Sequence, residues 1–136
     1  KVKEEKPAEA PLIGGTETVL VAEDEAPVRS SLRLILEEYG FTVIEAVNGE
    51  DAIEKFMENK EKIQLLILDV VMPKKKGKEV YAEIKKARPD IKVIFTSGYT
   101  EGTIHANGIL EKGLNFISKP VLPNDLLRKI REVLDT

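Results

Sequence analysis

The stretch "LLILDVVMP", Leu65 to Pro73, decides how the chain is read. Four consecutive aliphatic residues have the length and composition of a strand buried on both faces. The run stops at a carboxylate, Asp69, where a turn residue is the ordinary expectation. An ionised acid at the mouth of an apolar strand is costly to desolvate unless a cation meets it or water reaches it. Asp69 therefore either caps a loop or is placed to react.

Outward from this stretch, four more runs share its character: "TVLVA" (18 to 22), "FTVIEA" (41 to 46), "KVIFT" (92 to 96) and "NFIS" (115 to 118). Helical periods lie between them. Val28, Leu32, Ile35, Leu36 and Tyr39 recur at spacings of three and four, and Gly40 stands where a helix-ending glycine belongs. Asn48 is placed to cap a second helix bearing Ile53, Phe56 and Met57, with Glu50 and Asp51 at the positive end of its dipole. A third carries Val80, Ile84 and Ala87 and is stopped at Pro89; the last runs from Pro123 through Leu126, Leu127, Ile130, Val133 and Leu134. The segment "TEGTIHANGILEKG" (100 to 113) is the weakest helix, since Gly102 and Gly108 each cost about 1 kcal/mol relative to Ala. Strand and helix alternating five times predict an α/β fold, with a parallel sheet buried between two helix layers. Right-handed crossovers make that sheet open and doubly wound.

A chain of 136 residues supports one domain with one core. Residues 1–15, "KVKEEKPAEAPLIGG", have a linker's composition, so the domain is expected to span 16–136. The 21 basic residues against 24 acidic ones leave a net charge of −3, which gives no basis for direct nucleic-acid binding. Absent cysteines exclude disulfides and thiolate chemistry and fit a reducing, cytoplasmic setting. No aliphatic run is long enough for a membrane span, so no membrane contact is expected of this domain even where a parent protein is membrane-anchored. The start at Lys1 instead of Met leads us to expect a piece of something longer.

In a doubly wound sheet, ligands bind where the strands' carboxyl ends open into loops. After the first run come Glu23, Asp24 and Glu25; after the third, Asp69; after the fourth, Thr96 and Ser97; after the fifth, Lys119 and Pro120. Any one of these acids alone reads as a turn former, but four strand ends carrying mutually useful groups read as a site. Clustered carboxylates without His or Cys suit a hard cation, Mg²⁺ before Ca²⁺ or Mn²⁺. Mg²⁺ uses few carboxylates and keeps open positions, which invite a phosphoryl group. Lys119 and a hydroxyl from Thr96 or Ser97 are partners for its oxygens, and Asp69 is the carboxylate placed as nucleophile. The single histidine, His105, cannot make a histidine metal site and reads as a surface or packing residue.

These residues resemble the receiver domain of two-component response regulators. The resemblance rests on "VLVAEDEAPVR" (19 to 29), "LLILDVVMPKKKG" (65 to 77), "FTSGYT" (95 to 100) and "FISKP" (116 to 120), and with the helices it covers residues 17 to 135. It implies the flavodoxin-like order 2-1-3-4-5 for the five strands. It implies that Asp69 accepts a phosphoryl group from a histidine kinase or histidine phosphotransfer domain, with Lys119 and Ser97 assisting. It implies Mg²⁺, with Mn²⁺ as a substitute, on Glu23, Asp24, Asp69 and the Val71 backbone carbonyl. Ser97 and Phe116 become the switch pair, and homodimer formation stays open. Glu23 stands where Asp is common, Phe116 where Tyr is frequent, and "PKKKG" is unusually basic, with Lys74 to Lys76 read as a solvated loop.

The segment "GGTETVLVAEDE" looks like the junction into the C-terminal receiver of a hybrid sensor histidine kinase; a stand-alone regulator is the nearest alternative. Two rivals come from other classes. A phosphorylation-independent docking module keeps the fold without the chemistry. A haloacid-dehalogenase-like phosphatase needs a second Asp two residues after the nucleophile, where this chain has Val71.

Overall fold

A computed structural model describes residues 12–106 and 113–136. The chain alternates β1 (Thr18–Ala22), α1 (Ala26–Glu38), β2 (Thr42–Ala46), α2 (Gly49–Glu58), β3 (Ile63–Asp69), α3 (Gly77–Ala87), β4 (Lys92–Ser97), α4 (Glu101–Ala106), β5 (Phe116–Ser118) and α5 (Pro123–Leu134). All pairings are parallel and the strand order is β2-β1-β3-β4-β5, so β3 lies at the centre. The doubly wound sheet expected from the alternation is the observed one.

Two apolar layers hold it. Leu20, Leu66, Leu68 and Phe95 pack on one face beneath Phe56 of α2, Val80 and Ile84 of α3 and Ile104 of α4. Val19, Val21, Leu65, Ile67 and Ile94 pack on the other beneath Leu32 and Leu36 of α1 and Leu126, Leu127 and Ile130 of α5. Successive positions from Leu65 to Leu68 of β3 thus go to opposite layers, which is why that run is apolar instead of alternating. Each such side chain contributes about 1.5–3 kcal/mol by leaving water. Among the described residues no helix is long and apolar enough to cross a membrane.

Local signals act as the composition suggests. The Asn48 side chain accepts the Asp51 amide at 2.8 Å, capping α2. Pro27 and Pro123 sit in the first turns of α1 and α5, where a missing N–H costs nothing. Gly40 follows the end of α1 at φ +100°, a conformation that side chains resist. β3 begins two residues earlier than its aliphatic run, at Ile63 and Gln64, because only Gln64 of the pair faces solvent. α4 is described over six residues, and Gly108 of the weak helical segment lies outside the described residues, as does the side chain of His105.

Of the stretch with linker composition, 1–11 lie outside the described residues. Residues 12–15 lie on the domain: Leu12 packs against the α1/α5 layer, the Gly15 amide donates to the Tyr39 carbonyl at 3.1 Å, and Arg131 of α5 donates to the Gly14 carbonyl at 3.1 Å. A Cβ on Gly14 would stand 2.0 Å from the Tyr39 carbonyl oxygen, so the close approach requires glycine there.

Candidate functional site

The parallel register brings the strand ends to one rim. Ala22 pairs with Leu68, Asp69 with Thr96, and Ser97 with Ser118, so Glu23, Asp69, Ser97 and Lys119 follow one another across adjacent strands. Two further backbone bonds extend the ladder into the loops: Val70 N–H to Thr96 at 2.9 Å, and Lys119 N–H to Ser97 at 2.7 Å. Residues from four distant segments are thereby fixed by backbone, before any side chain acts.

A cleft of about 250 Å³ opens on this rim, lined by Asp24, Glu25, Asp69, Val71, Ser97, Gly98, Tyr99 and Lys119. Carboxylate oxygens of Glu23, Asp24 and Asp69 lie within 4.8 Å of one another. Glu23 is 1% and Asp69 6% exposed, whereas Asp24 is open to solvent. Lys119 Nζ reaches both buried acids, Glu23 Oε1 at 2.9 Å and Asp69 Oδ2 at 3.1 Å. Burial lifts both acids above the ordinary carboxylate range, against the pull of Lys119, and each is pushed further by a neighbouring carboxylate: Asp69 for Glu23, Asp24 for Asp69. Lys119 is raised although burial acts to lower it, because Glu23 and Asp69 hold its proton.

The supports of these acids are specific. Gly77, the first residue of α3, donates its N–H to the Val70 carbonyl, and a Cβ on it would stand 2.4 Å from the Asp69 carbonyl oxygen. Arg29 donates to the Glu23 carbonyl at 2.7 Å and pairs with Glu45 of β2 at 3.1 Å, fixing the loop after β1. Glu23 Oε2 accepts the Glu25 amide at 3.2 Å, while Oε1 has no donor in hydrogen-bond geometry. A buried carboxylate oxygen without a hydrogen-bond donor, within 4.8 Å of two further carboxylates, suits a hard dication, so the residues present fit Mg²⁺.

Of the sequence-predicted residues, Glu23, Asp24, Asp69, Val71, Ser97 and Lys119 come together. Ser97 and Thr96 are both buried, but Ser97 lines the cleft, and its hydroxyl oxygen accepts the Tyr99 amide at 3.0 Å. Phe116 stands apart, half-buried at the start of β5 and paired with Phe95, and it borders a separate cleft with Asp125 and Lys129. Sequence reasoning did not single out Tyr99 or Arg29. The position of Arg29, one turn into the helix that follows the acid pair, was the available signal for it. In the basic loop, Lys74 adopts φ +75° and Lys75 pairs with Glu83 of α3 at 2.9 Å, while Lys74 and Lys76 are exposed.

A family model described as the response regulator receiver domain matches residues 19–131. Sensor kinase CckA of Brucella abortus (strain 2308) is 36% identical over 133 residues, 98% of this chain and 14% of that protein. The response regulator receiver protein CpdR of the same organism is 31% identical over 116 residues, 85% of this chain and 95% of its own length. Among solved structures, the response regulator protein TrrA from Thermotoga maritima, crystallised in complex with Mg²⁺-BeF, is 30% identical, with a TM-score of 0.72 over 85% of this chain and 97% of its own. The chain spans about half the length of the transcriptional regulators it also matches.

Proposed function

This chain belongs to the response regulator receiver domain family of two-component systems, and from that premise we propose that Asp69 is its phosphoacceptor. The observation that carries the reading is the convergence of one buried carboxylate, one ammonium, one hydroxyl and two further acids on a single cleft. Asp69 attacks the phosphorus of a phosphohistidine in line; the new O–P bond forms as the N–P bond breaks and the imidazole leaves. Lys119 and the Ser97 hydroxyl bind oxygens of the acquired group. Glu23, Asp24, Asp69 and the Val71 carbonyl would hold Mg²⁺, or Mn²⁺ in its place. When bound, the cation neutralises charge on the transferring oxygens. The chain is then a signalling phosphoacceptor, not an enzyme of its own. Phe116 follows Ser97 as the switch aromatic, and the weakly helical region of α4 is the element that shifts.

The donor is a histidine kinase or histidine phosphotransfer domain on the cytoplasmic side. A hybrid sensor kinase is the favoured parent. The match to the sensor kinase leaves only three of 136 residues outside it, so it runs through most of 1–15, the segment preceding the domain at 16–136. The match to the free-standing regulator spans 116 residues.

A small-molecule phosphodonor with Mg²⁺, read by intact-protein mass spectrometry, tests the reading. The wild-type chain is expected to gain one phosphoryl group and Asp69→Asn none. Equal uptake by both proteins, or uptake by neither, overturns it.

A further inference from the structure

Arg29 stands in a place that its own helix does not explain. The helix dipole favours acids in a first turn and bases in a last turn, and α1 has neither. Glu25, at the N-cap of α1, makes no side-chain capping bond either. No side-chain cap therefore secures the junction between the acid pair and the helix, and a long side chain reaches back across it instead. Arg29 donates through a terminal nitrogen to the Glu23 carbonyl at 2.7 Å and through Nε to Glu45 of β2 at 3.1 Å.

The bond to Glu23 acts on both members of the acid pair at once. A peptide unit is planar, so holding the Glu23 carbonyl constrains the plane that runs from the Glu23 Cα to the Asp24 Cα. The other backbone group of Glu23 is held as well, its amide donating to the Ala46 carbonyl at 3.1 Å. Both anchors lead to β2, one through its backbone and one through the Glu45 carboxylate. Glu45 is itself shared between two arginines one turn apart, since Arg33 lies 2.6 Å from its second oxygen. The Arg29 side chain is 15% exposed and that of Arg33 44%, so the inner arginine is the one shielded enough to keep its fork in a fixed direction.

We propose that Arg29, oriented by Glu45, is the positioning residue of the acid pair: it sets the peptide between Glu23 and Asp24 and, through it, the affinity of the cleft for a divalent cation. The proposal rests on the metal reading given above. Arg29 is not a ligand, and its positive charge by itself opposes a cation nearby. What it supplies is direction. A planar guanidinium bonds a carbonyl and a carboxylate from one fork, which the single nitrogen of a lysine does not reproduce. The metal affinity of the rim is thereby tied to a partly exposed ion pair between α1 and β2.

Calorimetric titration of the 136-residue chain with MgCl₂ alone tests this. Arg29→Lys keeps the charge and loses the fork, and it is expected to bind Mg²⁺ about tenfold more weakly, as when the support of a metal ligand is removed. Arg29→Gln is expected to weaken binding too, whereas mere removal of a positive charge would tighten it. Glu45→Ala takes away the orienting partner and is expected to weaken binding about threefold, the fold-change of one partly exposed ion pair. Combined with Arg29→Lys it should add nothing. Affinity of Arg29→Lys within about twofold of wild type overturns the proposal, even if its urea midpoint falls, because that pattern marks a merely structural arginine. So does tighter binding by Arg29→Gln, or losses that multiply in the double variant as separate charge effects would. Should Arg29→Lys not fold, Glu45→Ala carries the test with Arg29 in place, and unchanged affinity there is equally fatal. Absence of Mg²⁺ binding by the wild-type chain sinks the metal reading itself, while wild-type binding that no variant alters sinks the positioning role alone.

Discussion

At the amino end of the sheet a guanidinium holds a partly buried carboxylate: Arg131 of α5 lies 2.6 Å from Glu17, just before β1, and 3.4 Å from the exposed Asp135. At the carboxyl end three carboxylates gather around one ammonium, Lys119. Both ends are partly or fully buried, yet their acids move in opposite directions. Burial acts to raise Glu17, but the Arg131 hydrogen bond and charge outweigh it and hold Glu17 below its ordinary value. Burial raises Glu23 and Asp69 as well, and there a single shared lysine does not outweigh it. The contrast separates a pair that holds the fold from a cluster that is under-neutralised without an added cation.

The largest expected effect that would break the comparison is at the amino end. Arg131→Gln strands the half-buried Glu17 and frees the Gly14 carbonyl, and a loss of about 2 kcal/mol is expected in urea unfolding, discounted for partial exposure. An unchanged midpoint would mean that the amino-end pair holds nothing. At the carboxyl end the sign reverses: Asp69→Asn removes one surplus charge and is expected to stabilise the metal-free protein by about 1 kcal/mol near neutral pH. The folded pKa of Asp69 lies above its ordinary 3.8, so its contribution is intact below 3.8 and is lost as pH rises through the raised value. The gain from Asn should therefore vanish in thermal melts below 3.8 and grow above it. The smallest effect is at Glu17, whose lowered pKa gives stability present above 4.5 and lost as pH falls below it. Glu17→Gln should flatten the acid limb of the stability curve by roughly a few tenths of a kcal/mol, an ion-pair value discounted for solvent screening.

Much of this was legible in the residues because it depends on local pattern. The aliphatic runs of β1 and β3 and the caps Asn48 and Gly40 are properties of short windows, and the rim residues follow from strand ends in a parallel sheet. What was not legible depends on side-chain reach between distant segments. The window around Ser97 leaves it level with Thr96, and the cleft distinguishes them. That Lys119 stands 2.9 Å from Glu23 and 3.1 Å from Asp69 depends on three segments far apart in the chain meeting at one rim. Residues 12–15 are only Leu, Ile and two glycines, and their contact with α5 needs Arg131, which the window does not contain.

The place of β3 in the order β2-β1-β3-β4-β5 has a consequence in time. Asp69 ends a seven-residue strand with a hydrogen-bonded neighbour on both sides, while Lys119 follows a three-residue strand at the sheet's edge. Amide exchange should accordingly be slowest at Leu65 to Leu68 and much faster at Phe116 to Ser118, since edge backbone opens without disturbing the centre. The acid is mounted on the clock that hardly moves, and the lysine on the one that ticks.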